Sequence, residues 1–215
     1  RLNRFSYDDA FFAAMNIDGK NCFNQIKSSI PKEFETAFDA IITQLKQDSV
    51  DVEKMCEAID GDIYYSFPDI DINAQNIPPM TLLAKAVNDS SINVFSPALA
   101  FFGKAQDNIS IKKDGDRYVI SQSEIDWEAM QNKTPGTYIY SDPTPIAYFG
   151  EHDGYLYLSS VNNNSEKIKG NTMKDMKSKI SGNNIFITFN LMKVSSLITS
   201  RTINQKIDIL DRLNI

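Results

Sequence analysis

"IAYFGEHDGYLYLSS" (residues 146–160) decides the fold class, because it places Asp153-Gly154 between two strand-like runs. Asp-Gly is among the strongest short signals for a β-hairpin, since both residues can adopt a positive φ at low cost. "ISIKKDGDRYVIS" (109–121) has the same arrangement around Asp114-Gly115. Strands joined by two or three residues must run antiparallel. The sequence therefore predicts an α+β fold with a largely antiparallel sheet and helices packed on one face.

A third Asp-Gly pair lies in "DGDIYYSF" (60–67). Here we expect Gly61 to end a helix with a positive φ, and the run from Ile63 to Phe67 to leave as a strand. The neighbouring acids, Asp60 and Asp62, then serve backbone geometry and hydration of the turn, with no chemistry of their own.

Helical spacing predicts the remaining elements. In 31–47 the residues Phe34, Ala37, Phe38, Ile41 and Leu45 recur on one face, which is typical of a packed helix with Pro31 in its first turn. Further helices are expected after a Ser49 cap, over 96–104 with Ser96 as cap and Pro97 first, and over 172–182 after a Thr172-x-x-Asp175 capping pattern. Strands are predicted at 10–17, 81–87 and 136–141, and helices from 21 to 59 should cover one sheet face.

Residues 1–183 are interpreted as the main α+β unit, and residues 184–215 as the start of a second repeat unit that packs on it. "IFITFNLMKVSSL" (185–197) parallels "FFAAMNIDGKNCF" (11–23), since each has an apolar strand, an asparagine, an apolar residue and then a helix. A common strand-to-helix junction would give the same pattern. The second unit would continue with the helical pattern of Ile203, Ile207, Leu210 and Leu213.

Composition excludes some classes of partner. A net charge of -6 and a pI near 4.8, with no basic stripe, argue against nucleic acid. Apolar runs such as Ala98 to Phe102 are far shorter than the roughly 20 residues of a membrane span. The chain begins at Arg1, so we expect a trimmed fragment whose targeting sequence or lipid anchor lies outside it.

The sequence predicts no metal site and no cofactor. "DIDINAQNIPPM" (69–80) opens like an EF-hand loop, but Ala74 and Met80 stand where that loop needs glycine and a bidentate glutamate, so an edge strand is favoured. Cys22 and Cys56 have no ligand neighbours and are interpreted as buried thiols, with a bridge between two helices as the alternative in an oxidising compartment.

No catalytic residue is predicted either. His152 is the single histidine and lies in a predicted turn, and no nucleophile motif accompanies it. Two pairs of tyrosines are the candidate ligand-binding residues, because side chains two apart share a strand face. These residues are Tyr138 and Tyr140, and Tyr155 and Tyr157. They form either a platform for sugars or peptides, or one side of the sheet closed under helices.

The order of strand, Asn-Ile or Asn-Leu, helices, "IDGDIYYSF" and "PPMTLLAKAVND", followed by a hairpin, resembles a family of secreted, lipid-anchored envelope proteins of Bacteroides-type bacteria known only as a domain of unknown function. The likeness covers mainly residues 10–90 and 184–200. It implies a location in the cell envelope, periplasmic or at the outer-membrane surface. It supplies no catalytic residue.

Two functions remain as hypotheses. The favoured one is a non-enzymatic envelope module that binds a glycan, a peptide or a partner protein through its sheet face or helical surface. The alternative is a hydrolase that uses acidic residues in a cleft between the half-units. A deep pocket formed by Glu151, Asp153 and Asp142 would favour the hydrolase.

Overall fold

The fold is a single eight-stranded antiparallel sheet, which confirms the predicted α+β class. A computed structural model describes residues 2–6, 8–68, 79–130, 138–162, 172–181 and 184–193. The sheet order is β4-β5-β6-β7-β3-β2-β1-β8. The strands are β1 (Phe11–Asp18), β2 (Ile59–Phe67), β3 (Thr81–Ala86), β4 (Ile109–Asp114), β5 (Arg117–Gln122), β6 (Thr144–His152), β7 (Tyr155–Ser159) and β8 (Ile185–Phe189).

The two predicted hairpins are present, but only one of them has Asp-Gly as its two-residue loop. Between β6 and β7, Asp153 and Gly154 have φ values of 53° and 71°. Between β4 and β5, Asp114 pairs with Arg117 as the last residue of its strand, so the loop is Gly115-Asp116, and Gly115 has a φ of 65°. Positive φ values at such turns match the twist of the flanking strands, so these local contacts fix the antiparallel arrangement.

Gly61 does have a positive φ, 112°, but its predicted place at a helix end is wrong. The preceding helix ends at Glu57 and is closed by the Ala58 N–H, so Gly61 lies inside β2. There the pairing of β2 with β3 shifts register between Ile59 and Ile63. A positive-φ glycine is common both just after a helix and at irregular positions of a strand, so the glycine alone did not distinguish them.

The helices are α1 (Gly19–Ser28), α2 (Lys32–Gln47), α3 (Val52–Glu57), α4 (Ser91–Ala105), α5 (Trp127–Met130) and α6 (Lys177–Ile180), with 3-10 turns at Leu2–Arg4 and Met173–Met176. Asp51 caps α3 by accepting the Lys54 N–H at 3.2 Å, so the predicted Ser49 cap is wrong. Thr172 accepts the Lys174 N–H at 3.4 Å, at the start of the predicted 172–182 segment. Among the described residues, no helix combines the length and the apolar character that crossing a membrane requires.

Helix α4 begins five residues before the predicted start at Ser96, so Pro97 lies inside it. Tertiary packing explains the longer helix, because Phe95 packs on Phe149 of β6 at 5.5 Å between ring centroids. The Ser96 hydroxyl also lies 2.6 Å from the Tyr118 hydroxyl of β5. These contacts stabilise the helical turn before Pro97. Intrinsic propensity alone would place the start of the helix at this proline.

Helices cover one face of the sheet as expected. Helix α4 packs on β4 and β6, α3 contacts both α4 and α1, and α1 contacts β1 and β2. The opposite face carries the main apolar cluster, which the two 3-10 turns and α6 cover. That cluster consists of Phe5, Phe12, Ala14, Tyr64, Leu83, Tyr155 and Met173, with Ile180 and Phe186 packed against it. The sheet is therefore sandwiched between two unequal layers.

Helix α2 is present at the predicted position, but the expected packing of its apolar face is wrong. Phe34 and Ile41 are each 59% exposed, and no residue of the helix is fully buried. Pro31 takes the N-cap position, just before the first turn. The periodicity predicted the helix correctly, yet a helical period reports amphipathicity and does not show what covers the apolar side.

The division of the chain at residue 184 into a main unit and a second repeat unit stays a prediction. Strand β8 pairs antiparallel with β1 inside the same sheet, and a short helical stretch follows it. Asn190 caps that stretch by accepting the Met192 N–H at 3.1 Å. Asn16 instead lies within β1 and donates to Asp62, while Asp18 caps α1. The helical pattern predicted for residues 203–213, and residues 69–78 of the EF-hand-like segment, lie outside the described residues.

Gly19 gives a direct test of this packing. A Cβ at residue 19 would overlap the carbonyl oxygen of Cys56 where α1 meets α3. We expect Gly19→Ala to lower the free energy of unfolding by about 2 kcal/mol or more, measured by urea denaturation.

Gly103→Ala is the matched control, because its Cβ would lie 3.4 Å from the Ile111 side chain and gain helix propensity. This variant should be neutral or stabilised by up to about 1 kcal/mol. Equal effects of the two substitutions would contradict the close α1–α3 approach.

Candidate functional site

The strongest candidate for a binding site is strand β8, which is an edge of the sheet within the described residues. The strand has the sequence "IFITF", with no charged residue and no proline. Three of its side chains point to solvent although they are large and apolar: Ile185, Ile187 and Phe189 are 65%, 52% and 59% exposed. Exposed apolar groups that cluster in this way commonly mark an interaction surface.

Only alternate residues of β8 use their backbone N–H and C=O groups in hydrogen bonds to β1, and the register of the pairing identifies these residues. Asn16 N donates to Asn184 O at 3.0 Å, and Asn190 N donates to Ala10 O at 3.1 Å. In an antiparallel ladder, hydrogen-bonded pairs alternate with non-hydrogen-bonded pairs. The even-numbered residues of β8 therefore bond to β1, and the N–H and C=O groups of Ile185, Ile187 and Phe189 point to the open edge.

Aromatic rings extend this apolar area onto the sheet. Phe189 lies opposite Phe11 of β1, with ring centroids 5.1 Å apart. Phe11 in turn lies 6.0 Å from Phe67 of β2, and Phe67 lies 4.8 Å from Tyr65. We call the outer edge of β8, together with the side chains of Ile185, Ile187, Phe189 and Phe11, the β8 surface.

The other edge of the sheet is protected in the usual way. Strand β4 ends in Lys112, Lys113 and Asp114, all of which are exposed. Charged side chains on an edge strand discourage pairing with another chain. The β4 edge is therefore charged, whereas the β8 edge is apolar and uncharged.

The buried carboxylate of Asp9 fixes the segment just before β1, which lies next to β8. Asp9 is 6% exposed and accepts hydrogen bonds from the Ser66 hydroxyl and from Ser6 N at 3.1 Å. Burial raises the pKa of Asp9 above its ordinary value, although these hydrogen bonds and the charge of Lys193 oppose the shift. Lys193 also donates to Pro68 O at 2.6 Å, which ties the end of the described chain to β2.

The first pair of predicted tyrosines is not on a strand. Residues 138–141 form only an isolated bridge, Tyr140 to Ile125, so the strand predicted at 136–141 is wrong over 138–141, and residues 136 and 137 lie outside the described residues. Hydrogen bonds donated by the backbone N–H groups of Asp126 and Ser141 hold the segment 138–141 against residues 124–126. Tyr138 is 58% exposed and stacks on Tyr140, with ring centroids 6.5 Å apart.

The second pair belongs to the interior. Tyr155 is 2% exposed and stacks on Tyr64 within the main apolar cluster. Tyr157 is half-buried, and its hydroxyl fills the space beside Gly150. Burial raises the pKa of the Tyr157 phenol, and the charge of Asp116 adds to the effect. The two pairs therefore occupy different environments, and a ligand role for the four tyrosines stays a prediction.

The acids of the hydrolase hypothesis are not gathered as that hypothesis requires. Glu151, His152 and Asp153 line an open cavity of about 470 Å³, but Asp142 is not among its lining residues. Glu151 accepts the Ile92 N–H of α4 at 3.3 Å, and Asp153 lies 3.4 Å from the Arg4 guanidinium. These contacts give both carboxylates structural partners.

The described residues offer little support for a metal site or a reactive thiol. Within the described ranges, no three His, Cys, Asp or Glu side chains lie close enough to share a metal ion. Cys22 and Cys56 are half-buried and unbridged. Burial raises the pKa of the Cys56 thiol, and the neighbouring Cys22 adds to it, so little reactive thiolate forms at neutral pH.

Comparisons with family models, with curated proteins and with solved structures found no match to this chain. The site must therefore be interpreted from its own geometry. Sequence reasoning missed the β8 surface, because "IFITF" was taken as an ordinary strand of a second unit. The signal was there: a strand with no charge at all cannot protect an edge.

The shifted carboxyl of Asp9 predicts a dependence of stability on pH. Because its folded pKa is raised, the group favours the folded state below its ordinary pKa of 3.8 and loses that contribution as the pH rises through the folded pKa. Asp9→Asn should remove this decline from the stability–pH curve, measured by thermal unfolding at a series of pH values.

Asp8→Asn, at the exposed neighbouring residue, is the control and should keep the decline. If the wild-type protein and Asp9→Asn differ by a constant amount at every pH, Asp9 does not titrate as its burial implies.

Proposed function

We propose that this protein is a non-enzymatic module of the bacterial cell envelope that captures an extended segment of another protein by β-strand addition at the β8 surface. The single observation that supports this proposal is that outward-pointing backbone groups and exposed apolar side chains fall on the same residues, Ile185, Ile187 and Phe189. A peptide strand needs both kinds of contact.

The backbone of β8 supplies the affinity that does not depend on sequence. An added antiparallel strand would bond to the outward N–H and C=O groups of three alternate residues, Ile185, Ile187 and Phe189. Each such hydrogen bond contributes a net ~0.5–1.5 kcal/mol, because the free groups are solvated before binding.

The side chains of β8 supply the selectivity. Alternate residues of the incoming strand would lie beside Ile185, Ile187 and Phe189, on the sheet face that carries α1 and α4. Apolar residues at those positions would form cross-strand pairs that contribute roughly 0.2–1 kcal/mol each. The strand has no charge to select a charged partner. The ligand is therefore an extended segment with apolar residues at every second position.

The envelope location in this proposal comes from the family resemblance, and the peptide-binding activity comes from the β8 surface. The two parts are independent. A secreted or lipid-anchored protein works outside the cytoplasm, where extended segments of other envelope proteins are accessible.

A selection experiment tests the activity. Random octapeptides displayed on phage are selected against the protein, and the selected peptides are measured by fluorescence anisotropy. We expect enriched peptides to carry apolar residues at alternate positions. Two substitutions at Ile187 then separate side-chain contacts from backbone contacts.

Both Ile187→Thr and Ile187→Pro remove the isoleucine, but only the proline also removes the outward N–H while sparing the bonds to β1. We expect Ile187→Pro to bind the peptides about tenfold more weakly than Ile187→Thr. Thermal unfolding confirms that both variants are folded. Peptides that bind both variants equally, or a wild-type dimer through β8 in sedimentation, would contradict the proposal.

A further inference from the structure

A cleft on the opposite face of the sheet from α1 and α4 brings charges of both signs together. It consists of two adjoining cavities of about 380 and 420 Å³ that share Leu2, Asp62, Tyr64 and Lys177 in their walls. The cleft lies between the end of β1–β2 and the layer formed by the first 3-10 turn and α6. It is separate from the β8 surface and rests on different residues.

Asp62 is held rigidly at the centre of this cleft. Its Oδ1 accepts a hydrogen bond from Asn16 Nδ2 at 3.0 Å, and its Oδ2 accepts one from the Tyr64 hydroxyl at 3.0 Å. The β-bulge at Gly61 immediately precedes it. Each carboxylate oxygen can accept a further hydrogen bond, so a fixed acceptor pair remains available to a ligand.

Asp62 forms no ion pair with the described residues, since no Lys or Arg nitrogen among them lies within ion-pair distance of its carboxylate. Lys177 nevertheless lines both cavities, and Lys174 lines the second. A negative and a positive group thus face the same space without touching, and a ligand that spans them would satisfy both.

The walls of the cleft limit the ligand class further. A sugar site commonly offers an exposed aromatic ring for stacking, but Tyr64 and Tyr155 are only 7% and 2% exposed. The apolar walls are aliphatic instead, from Leu2, Ala14 and Ile180. The cleft therefore suits a ligand with two opposite charges and a small aliphatic part.

We propose that this cleft binds a free α-amino acid with an aliphatic side chain. Its ammonium group donates to Asp62, its carboxylate accepts from Lys177 and Lys174, and its side chain packs against Leu2 and Ile180. This gives the protein a small-molecule site in addition to the β8 surface, on the other face of the sheet.

Isothermal titration calorimetry with three probes tests the proposal. L-leucine carries both charges, N-acetyl-L-leucine lacks the cation, and L-leucinamide lacks the anion. Each is titrated into the wild-type protein and into Asp62→Asn, Lys177→Gln and Asp60→Asn. Asp60 lies on the same strand, is exposed and does not line the cleft, so Asp60→Asn is the matched control.

We expect saturable binding of L-leucine by the wild-type protein and by Asp60→Asn, and at least about tenfold weaker binding by Asp62→Asn and by Lys177→Gln, since each variant loses a charge-assisted hydrogen bond. Both single-charge probes should bind at least about tenfold more weakly than L-leucine. Thermal unfolding establishes that Asp62→Asn is folded.

Three results would overturn the proposal. They are the absence of saturable L-leucine binding up to about 10 mM, equal binding of N-acetyl-L-leucine or L-leucinamide, and unchanged affinity in Asp62→Asn. None of them bears on peptide capture at β8, which uses other residues.

Discussion

Backbone pairing along β1 is the constraint on which the rest of the structure depends. This strand bonds to β2 on one side and to β8 on the other, and Phe12, Ala13 and Ala14 at its centre are buried. Because β1 is satisfied on both sides, it fixes the register of β2 and β8 together. Among the described strands β8 has β1 as its one neighbour, so the residues whose backbone groups point away from β1 also carry the exposed apolar side chains.

The same ladder connects the two proposed sites. Asn16 donates its backbone N–H to Asn184 at the start of β8, and its side-chain amide to Asp62 in the cleft. One residue of β1 therefore holds both the register of the edge strand and the carboxylate on the opposite face. The sites are distinct in chemistry, but they share the strand that positions them.

Local chemistry explains what the sequence predicted correctly. The hairpins around Gly115 and Gly154 depend on a few adjacent residues, so their turns and their antiparallel pairing were predictable. The position of Gly61 was harder to predict, because a helix end and a strand irregularity can both place a glycine at a positive φ. The start of α4 was misplaced, because contacts of Phe95 with β6 outweighed the local signal of Pro97.

Long-range order explains what was missed. The position of β8 beside β1, at the edge, follows from pairing between segments far apart in the chain, which no local pattern reports. The period of a strand likewise places Tyr155 and Tyr157 on one face without showing that a second layer buries Tyr155. The uncharged sequence of β8 was visible in the chain, but its place at the edge and the neighbours of Asp62 in the cleft depend on such non-local contacts.

Amide hydrogen exchange along β8, followed by NMR on the wild-type protein without any ligand, measures whether the outer side of this strand is unpaired. We expect the amides of Phe186 and Thr188 to exchange slowly because they bond to β1, and those of Ile185, Ile187 and Phe189 to exchange fast because they point away from β1. Uniform protection of all five amides would show that the edge is already paired, and β8 could then not be the open edge strand described above.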